Sequence, residues 1–585
     1  MARLVQRRHV LGGIAGVALA GAAGAISLST SAGCSRTETI RVSSSSEKAA
    51  LMAELVTKYN DAHRAVGDLC ARVEMSALTS GKMKNLLAEG AKPPEVWLPT
   101  SSMWLRLLEH EGHGRLLVPG VRPIARSTLV IAMPESVAAA LEQSNRPLST
   151  WADVLQLAQF GWASYGRPDW NKFILGRDNA ETSTSGLAAT VVTYNAAPGE
   201  LTRERLNAVE VQQFVRDIEL SVTNYGDEAV QYMQRIYDHE QRWDSNDPAY
   251  RPYLDAVVVQ EQMAYVYNLG APTGDPGQIN SGQRPKNSLR AVHPGDGTLE
   301  LDHPFVVMSA ATREQRGVAE DFYRFLIEPD QQQRFADLGF RPLQDATRPT
   351  DQLRRTLHVP GDQRLDFVPP PDGELLAAML ESWQNVRRKA RVLLLLDLSG
   401  SMREPVNDPD TNQDPSKLQL MIPAAQRALD LLNVDDEVGL WTFSSNPSVV
   451  KVVPVSRVGD VREELKAKIQ GLTAVGDTAL YQAIDEAYQT MTREADPDRI
   501  NAIVLLSDGA NTEPYAGGAA ALLAKLDPRT RETAIPVFTI PYGQSGDENT
   551  RTLQEISRIT KATYNDTTNP LDIDQTFERV FRNFG

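Results

Sequence analysis

The chain has 585 residues, enough for two or three domains that each bury a core. Its 42% hydrophobic and 23% charged residues are ordinary for folded soluble material. A formal charge of -15 excludes a nucleic-acid surface, which needs clustered Lys and Arg. The two cysteines, Cys34 and Cys70, are too few for a disulfide framework. Stability is therefore expected from core packing, with Cys70 read as a small buried hydrophobe.

The chain opens with Arg3, Arg7 and Arg8 and no acid, then a weakly apolar run from Val10 to Leu28. This is the organisation of an export signal over residues 1–34. The Arg7-Arg8 pair fits a twin-arginine or a general secretory route. The run closes at Ser31-Ala32-Gly33-Cys34, which resembles the lipobox of bacterial lipoproteins, with Ser31 where an aliphatic residue is usual. The resemblance implies lipidation of Cys34. The exported chain would then be anchored at the outer face of the cytoplasmic membrane or on the cell surface. The alternative anchor is the apolar run itself.

From Thr39 short β runs alternate with helical segments. Ile40-Arg41-Val42, Pro94 to Leu98 and Thr128 to Met133 read as strands, with a helix from about Glu47 to His63. Such alternation implies an α/β fold with a mostly parallel sheet. A series of phrases then follows in order: Ser127 to Pro134, Thr150-Trp151-Ala152-Asp153-Val154-Leu155, and Thr182 to Leu187. After these come Val259 to Met263 with Tyr267-Asn268, Asp302 to Phe305, Phe322 to Leu326, and Gly339-Phe340-Arg341-Pro342. On these phrases residues 38–345 resemble the two-lobed bacterial extracellular solute-binding proteins. The resemblance implies a periplasmic-binding-protein-like module with a cleft, and chain crossings near 127–133 and 303–308.

Three Ser/Thr-rich segments open helices in this module: Ser44, Ser45 and Ser46; Ser101 and Ser102; and Thr182, Ser183, Thr184 and Ser185. A helix N-terminus offers unpaired N–H groups and partial positive charge. The family resemblance puts all three segments at the cleft, where they would hold a small molecule, an anionic solute in particular. The competing reading is plain N-capping, worth ~1 kcal/mol each. Nothing specifies a catalytic nucleophile. His110-Glu111-Gly112-His113 lacks the i, i+4 spacing of a zinc protease, and neither G-x-S-x-G nor a phosphate loop occurs. The chain is expected not to be an enzyme.

Residues 346–389 read as a linker and a helix. Val368-Pro369-Pro370-Pro371 makes a stiff extended spacer. The helix, about Glu374 to Lys389, carries Leu375, Leu376, Met379, Leu380 and Trp383 on one face.

In residues 390–585, Val392 to Leu396 is apolar enough for a buried parallel strand, and Asp397-x-Ser399-x-Ser401 stands at its end. Further strands are predicted at Glu437–Phe443, Ile500–Leu506 and Ile535–Ile540. The pattern is doubly wound and Rossmann-like, with ligand sites at the carboxyl ends of strands. Thr478 and Asp508 follow in order, and the segment resembles the von Willebrand factor A family with its metal-ion-dependent adhesion site. The resemblance implies direct ligation by Ser399, Ser401 and Thr478, with Asp397 and Asp508 binding directly or through water. Such oxygen donors suit Mg²⁺ or Mn²⁺. An open position would take an acidic side chain from a protein partner. Asp408, Asp410, Asn412 and Asp414 have the spacing of a calcium loop. Gln413 and Gln419 replace its Gly and Glu, so it reads as a solvated turn and Ca²⁺ is not expected.

The function read from the sequence is an exported cell-surface binding protein with divalent-metal-dependent ligand or protein binding and an appended solute module. The alternative is a transport or sensing lipoprotein whose A-domain serves assembly. A chelatase or ATPase subunit is a third class, against which the export signal speaks.

Overall fold

In the computed structural model, which describes residues 34–584 apart from 243–250, 280, 282, 361–363, 410–412, 528–534 and 544–547, the strands form three sheets. The export signal lies outside the described residues. So do Asp410 and Asn412 of the acidic turn.

The first lobe contains β1 (Arg36–Ser44), β2 (Ala65–Val66), β3 (Leu69–Ala77), β4 (Val96–Leu98), β5 (Arg122–Pro123) and the later β12 (Pro304–Val307). Their order is β2-β3-β1-β4-β12-β5. Helices α1 (Ala49–Asp61), α2 (Ser80–Ala88) and α3 (Met103–Leu108) connect the early strands. Leu51, Met52, Leu55, Val56 and Tyr59 give α1 a buried face.

The second lobe holds β6 (Ser127–Pro134), β7 (Leu175–Asp178), β8 (Val222–Gly226), β9 (Ala256–Gln260), β10 (Leu289–Val292) and β11 (Glu300–Leu301). The order is β10-β6-β9-β7-β8, with β11 also on β6. Helix α4 (Thr184–Ala196) is buried on nearly every side, and α5 (Val209–Glu219) lies near it.

Both sheets are mixed, where a mostly parallel sheet is the sequence expectation. The strands that follow a change of lobe, β6 and β12, run antiparallel to their neighbours. A third crossing joins the expected two. The Arg341 N–H bonds Arg126 O at 2.8 Å, and the Arg341 guanidinium reaches Glu261 of the second lobe at 2.6 and 2.8 Å. The chain then adds a short helix, Asp351–Leu357, whose Leu353 and Leu357 are buried. This part of the linker is packed structure, because its leucines find a face to cover.

Helix α6 (Gly373–Val386) buries Leu376, Met379 and Trp383 among side chains from both lobes. Arg106 on α3 donates to Pro370 O and Pro371 O at 2.5 and 2.6 Å. The Tyr194 hydroxyl on α4 donates to Ser382 at 2.8 Å. Arg387 then pairs with buried Asp436 at 2.8 Å and donates to Phe584 O at 2.7 Å. No free tether separates the modules at this joint.

The C-terminal sheet is built from β13 (Lys389–Asp397), β14 (Glu437–Phe443), β15 (Val449–Arg457), β16 (Arg499–Ser507) and β17 (Val537–Pro541), in the order β15-β14-β13-β16-β17. Leu393 to Leu396 are fully buried because helices cover both faces of the central strand. Strand β15 is an antiparallel edge that lies beside β14. Helix α7 (Lys417–Ala428) follows β13 and packs on α8 (Ile573–Phe581).

Candidate functional site

The doubly wound order changes direction at β13, so the crevice between the ends of β13 and β16 is where a ligand site forms. Strand β13 ends on Asp397, and a tight turn brings Ser399 N–H back to Asp397 Oδ1 at 2.8 Å. The Ser399 and Ser401 hydroxyls stand 3.0 Å apart, and Ser401 donates to Asp508 Oδ1 at 2.6 Å. Thr478 arrives from the loop before the next helix. A Cβ on Gly509 would lie 3.0 Å from its hydroxyl oxygen and 3.5 Å from that of Ser401. The five residues expected from the sequence are thus brought together, with a glycine keeping the space among them open.

Ser507 donates to Asp397 Oδ2 at 2.6 Å, and Lys417 at the start of α7 reaches Asp508 Oδ2 at 2.9 Å. Sequence reading missed both. Ser507 was adjacent to a named residue, whereas Lys417 lies on a separate helix and gave no local signal. Burial pushes Asp397 up to about 6, aided by the neighbouring Asp508 and opposed by the Ser507 and Ser399 hydrogen bonds. A cation beside it would reverse that cost. Among the described residues no group of three His, Cys, Asp or Glu is placed to hold a metal ion, so ion binding at this cluster would lean on hydroxyl oxygens. Those donors fit a hard divalent cation.

In the solute-binding-like module the three Ser/Thr segments meet between the lobes. Most of their hydroxyls serve other groups of the protein, Thr182 and Thr184 across long stretches of chain and the others nearby. Ser44 bonds Ser45 O, Ser45 donates to Glu47 at 2.5 Å, and Ser183 donates to Asp178 at 2.7 Å. Thr182 donates to Asp227 O at 3.0 Å, and Thr184 accepts from the Trp104 indole at 2.7 Å. Ser101 alone makes a cap-like bond, to Met103 N–H at 3.2 Å, while Ser102 uses its backbone N–H on Asp302. Ser185 is buried with its hydroxyl unpartnered.

The hydroxyls stand among acidic side chains. Glu47, Asp178, Asp227 and Glu228 stand at or beside the cleft. Lys82 is taken by Asp227 at 2.6 Å and Lys48 is buried against Glu47. Burial pushes His303 down to about 3, so it is neutral there. Burial pushes Asp178 up to about 7 and raises Glu228, so both favour the proton, and Lys48 and Lys82 are already paired.

The lobes are closed on one another. Gly81 N–H bonds Thr182 O at 3.1 Å, and a Cβ at Gly81 would lie 2.3 Å from Glu181 O, so only glycine permits that approach. The space left is about 10 Å³, room for one water, lined by Glu47, Thr79, Thr100, Thr184, Glu228 and Gln260. A larger cavity of about 440 Å³ lies against β10 and the linker, and none of the expected residues lines it.

The reading of Cys34 and Cys70 is also corrected. They form a disulfide with Cα atoms 5.2 Å apart, tying the start of β1 to β3. Two parallel neighbours in register, Thr37 opposite Cys70, bring the thiols within reach. A sulfur in that bond cannot also carry a lipid thioether. Among the described residues no helix is long and apolar enough to cross a membrane.

A family model described as bacterial extracellular solute-binding protein matches residues 40–341, and one described as von Willebrand factor type A domain matches residues 392–511. An uncharacterized protein of Mycobacterium tuberculosis is 21% identical over 532 residues, which are 87% of this chain and 71% of that protein. Among solved structures, the periplasmic binding protein P5PA is similar at 10% identity and a TM-score of 0.40, covering 59% of this chain and 98% of that one. A Trichodesmium protein solved with iron and citrate ligands has 14% identity and a TM-score of 0.37, over 60% of this chain and 99% of that one. A von Willebrand factor type A protein from Catenulispora acidiphila has 17% identity and a TM-score of 0.27, over 34% of this chain and 42% of that one. The first family model spans more than half of the sequence, and the chain belongs to the bacterial extracellular solute-binding proteins, with a von Willebrand factor type A domain behind the two-lobed module.

Proposed function

We propose that this chain is an exported binding protein, not an enzyme, which grips an acidic group of a protein partner through a divalent cation at the end of β13. The observation that carries the reading is the convergence of Asp397, Ser399, Ser401, Thr478 and Asp508 around the space beside Gly509. Mg²⁺ or Mn²⁺ held there would supply an electrophilic position for a carboxylate. Ser399, Ser401 and Thr478 would hold it as neutral donors, which leaves the ion's charge available to the incoming acid. Asp397 and Asp508 would balance part of that charge. Val475, 54% exposed beside Gly476, offers the partner an apolar contact next to the site.

Small-solute capture between the lobes is the second reading, favoured by the buried polar lining of the closed cleft. Release and entry then require the lobes to part. The direct test of the first reading is calorimetric titration of Mg²⁺ and Mn²⁺ into the protein and its Asp397→Ala variant. Binding is expected in the parent and lost in the variant, with the fold retained by circular dichroism. Equal affinity in both would sink the assignment.

A further inference from the structure

The cluster at the end of β13 already contains a cation of its own. Lys417 is the first residue of α7, and its ammonium donates to Asp508 Oδ2 at 2.9 Å and to Glu404 Oε2 at 2.7 Å. The lysine side chain is 9% exposed and that of Asp508 is 0% exposed, whereas Glu404 is 62% exposed. The position is fixed from several sides. Ser416 and Gln419 form a capping box around the helix start, Lys417 N–H bonds Glu404 O at 3.1 Å, and the Tyr542 hydroxyl donates to Lys417 O at 3.0 Å. The side chain therefore has little freedom to leave, and its charge is part of the site.

The arrangement has two electrostatic consequences. Asp397 and Asp508 are two nearby buried carboxylates, and a neighbouring ammonium lowers the cost of keeping them together. A divalent ion among Ser399, Ser401 and Thr478 would sit close to that same ammonium and be repelled by it, with little solvent between them. We infer that Lys417 is a built-in counter-cation: it holds the cluster assembled when no divalent ion is present, and it competes for Asp508 when one arrives. This rests on the metal-dependent reading above. The affinity for the ion is accordingly set below what the oxygen donors alone would give.

The test uses the full chain and two readouts, calorimetric affinity for Mg²⁺ and Mn²⁺ and melting temperature in chelator. Lys417→Met keeps the aliphatic stem and removes the charge. It is expected to tighten Mg²⁺ binding by about tenfold or more, to lower the melting temperature in chelator, and to regain it at saturating Mg²⁺. Lys417→Arg keeps the charge and is expected to stay near the parent in both. The Lys417→Met, Glu404→Gln double variant has the parent's net charge and is expected to remain tighter than the parent, because the competitor at Asp508 is gone. Unchanged or weaker affinity in Lys417→Met and in the double variant would overturn the inference. Absence of divalent binding in the parent and every variant would overturn the metal reading itself, a result separate from weakened binding in the variants alone. If Lys417→Met does not fold, Glu404→Gln alone, which leaves the ammonium to Asp508, is expected to weaken Mg²⁺ binding, and unchanged or tighter binding there would overturn the inference.

Discussion

Asp178 ends β7 inside the second lobe, where Ser183 donates to one of its oxygens and the other is unpartnered. Burial pushes its carboxyl up to about 7; Ser183 and Arg235 oppose the shift, and the nearby Asp227 and Glu228 add to it. The folded state therefore favours the proton. Its contribution to stability is full below the unfolded value of about 4 and is lost as pH rises through about 7. Asp178→Asn is expected to match the parent near pH 4 and to be more stable at pH 8, by at most about 4 kcal/mol. Denaturant melts at the two pH values check this, and a parent-like loss with rising pH in the variant would refute it. The sequence did not reveal this residue, because its environment comes from segments dozens of positions away. By contrast Asp397, Ser399 and Ser401 are spaced closely enough to be read directly. Lys417 escaped notice because a lysine opening a helix looks like any solvated one.

At the scale of elements, the site depends on how close the turn after β16 comes to the loop carrying Thr478. Gly509 makes that approach possible, since a Cβ there would press on the Thr478 and Ser401 hydroxyls. Gly509→Ala is expected to weaken Mg²⁺ affinity about tenfold or more, with a stability loss of about 1–3 kcal/mol. Calorimetry and thermal melts on the same sample separate the two effects, and equal affinity would show that the turn yields. The strands themselves were legible from apolar runs. Those predicted at 437–443 and 500–506 lie within β14 and β16. The edge strand β15 was not, because Val449–Arg457 mixes exposed and half-buried positions and lacks a buried run. The Ser/Thr segments are legible in the sequence, but the partners of their hydroxyls are not. Ser45 and Ser183 donate to the Glu47 and Asp178 carboxylates a few residues away, whereas Thr182 reaches the Asp227 carbonyl, which only the fold brings to it.

At the scale of the molecule, α6 touches α3 of one lobe and α4 and α5 of the other, then runs directly into β13. The lobes cannot part fully while the helix holds both. The Gly81 amide, bonded across the cleft to Thr182, reports their separation without any ligand. Arg106→Ala removes the bonds to Pro370 and Pro371 and is expected to speed hydrogen exchange at Gly81 about tenfold. Exchange unchanged from the parent would mean that the lobes open without disturbing the helix. The disulfide at the other end of the chain has a mechanical meaning. Strand β1 lies between β3 and β4 and is parallel to both, so a pull on its amino end loads both ladders in shear. Cys34 and Cys70 join β1 to β3 at that same end, so the two strands must move as one. A pull on the amino end would be shared by β1 and β3 through this bond, and after reduction it would reach β3 only through the hydrogen-bond ladder.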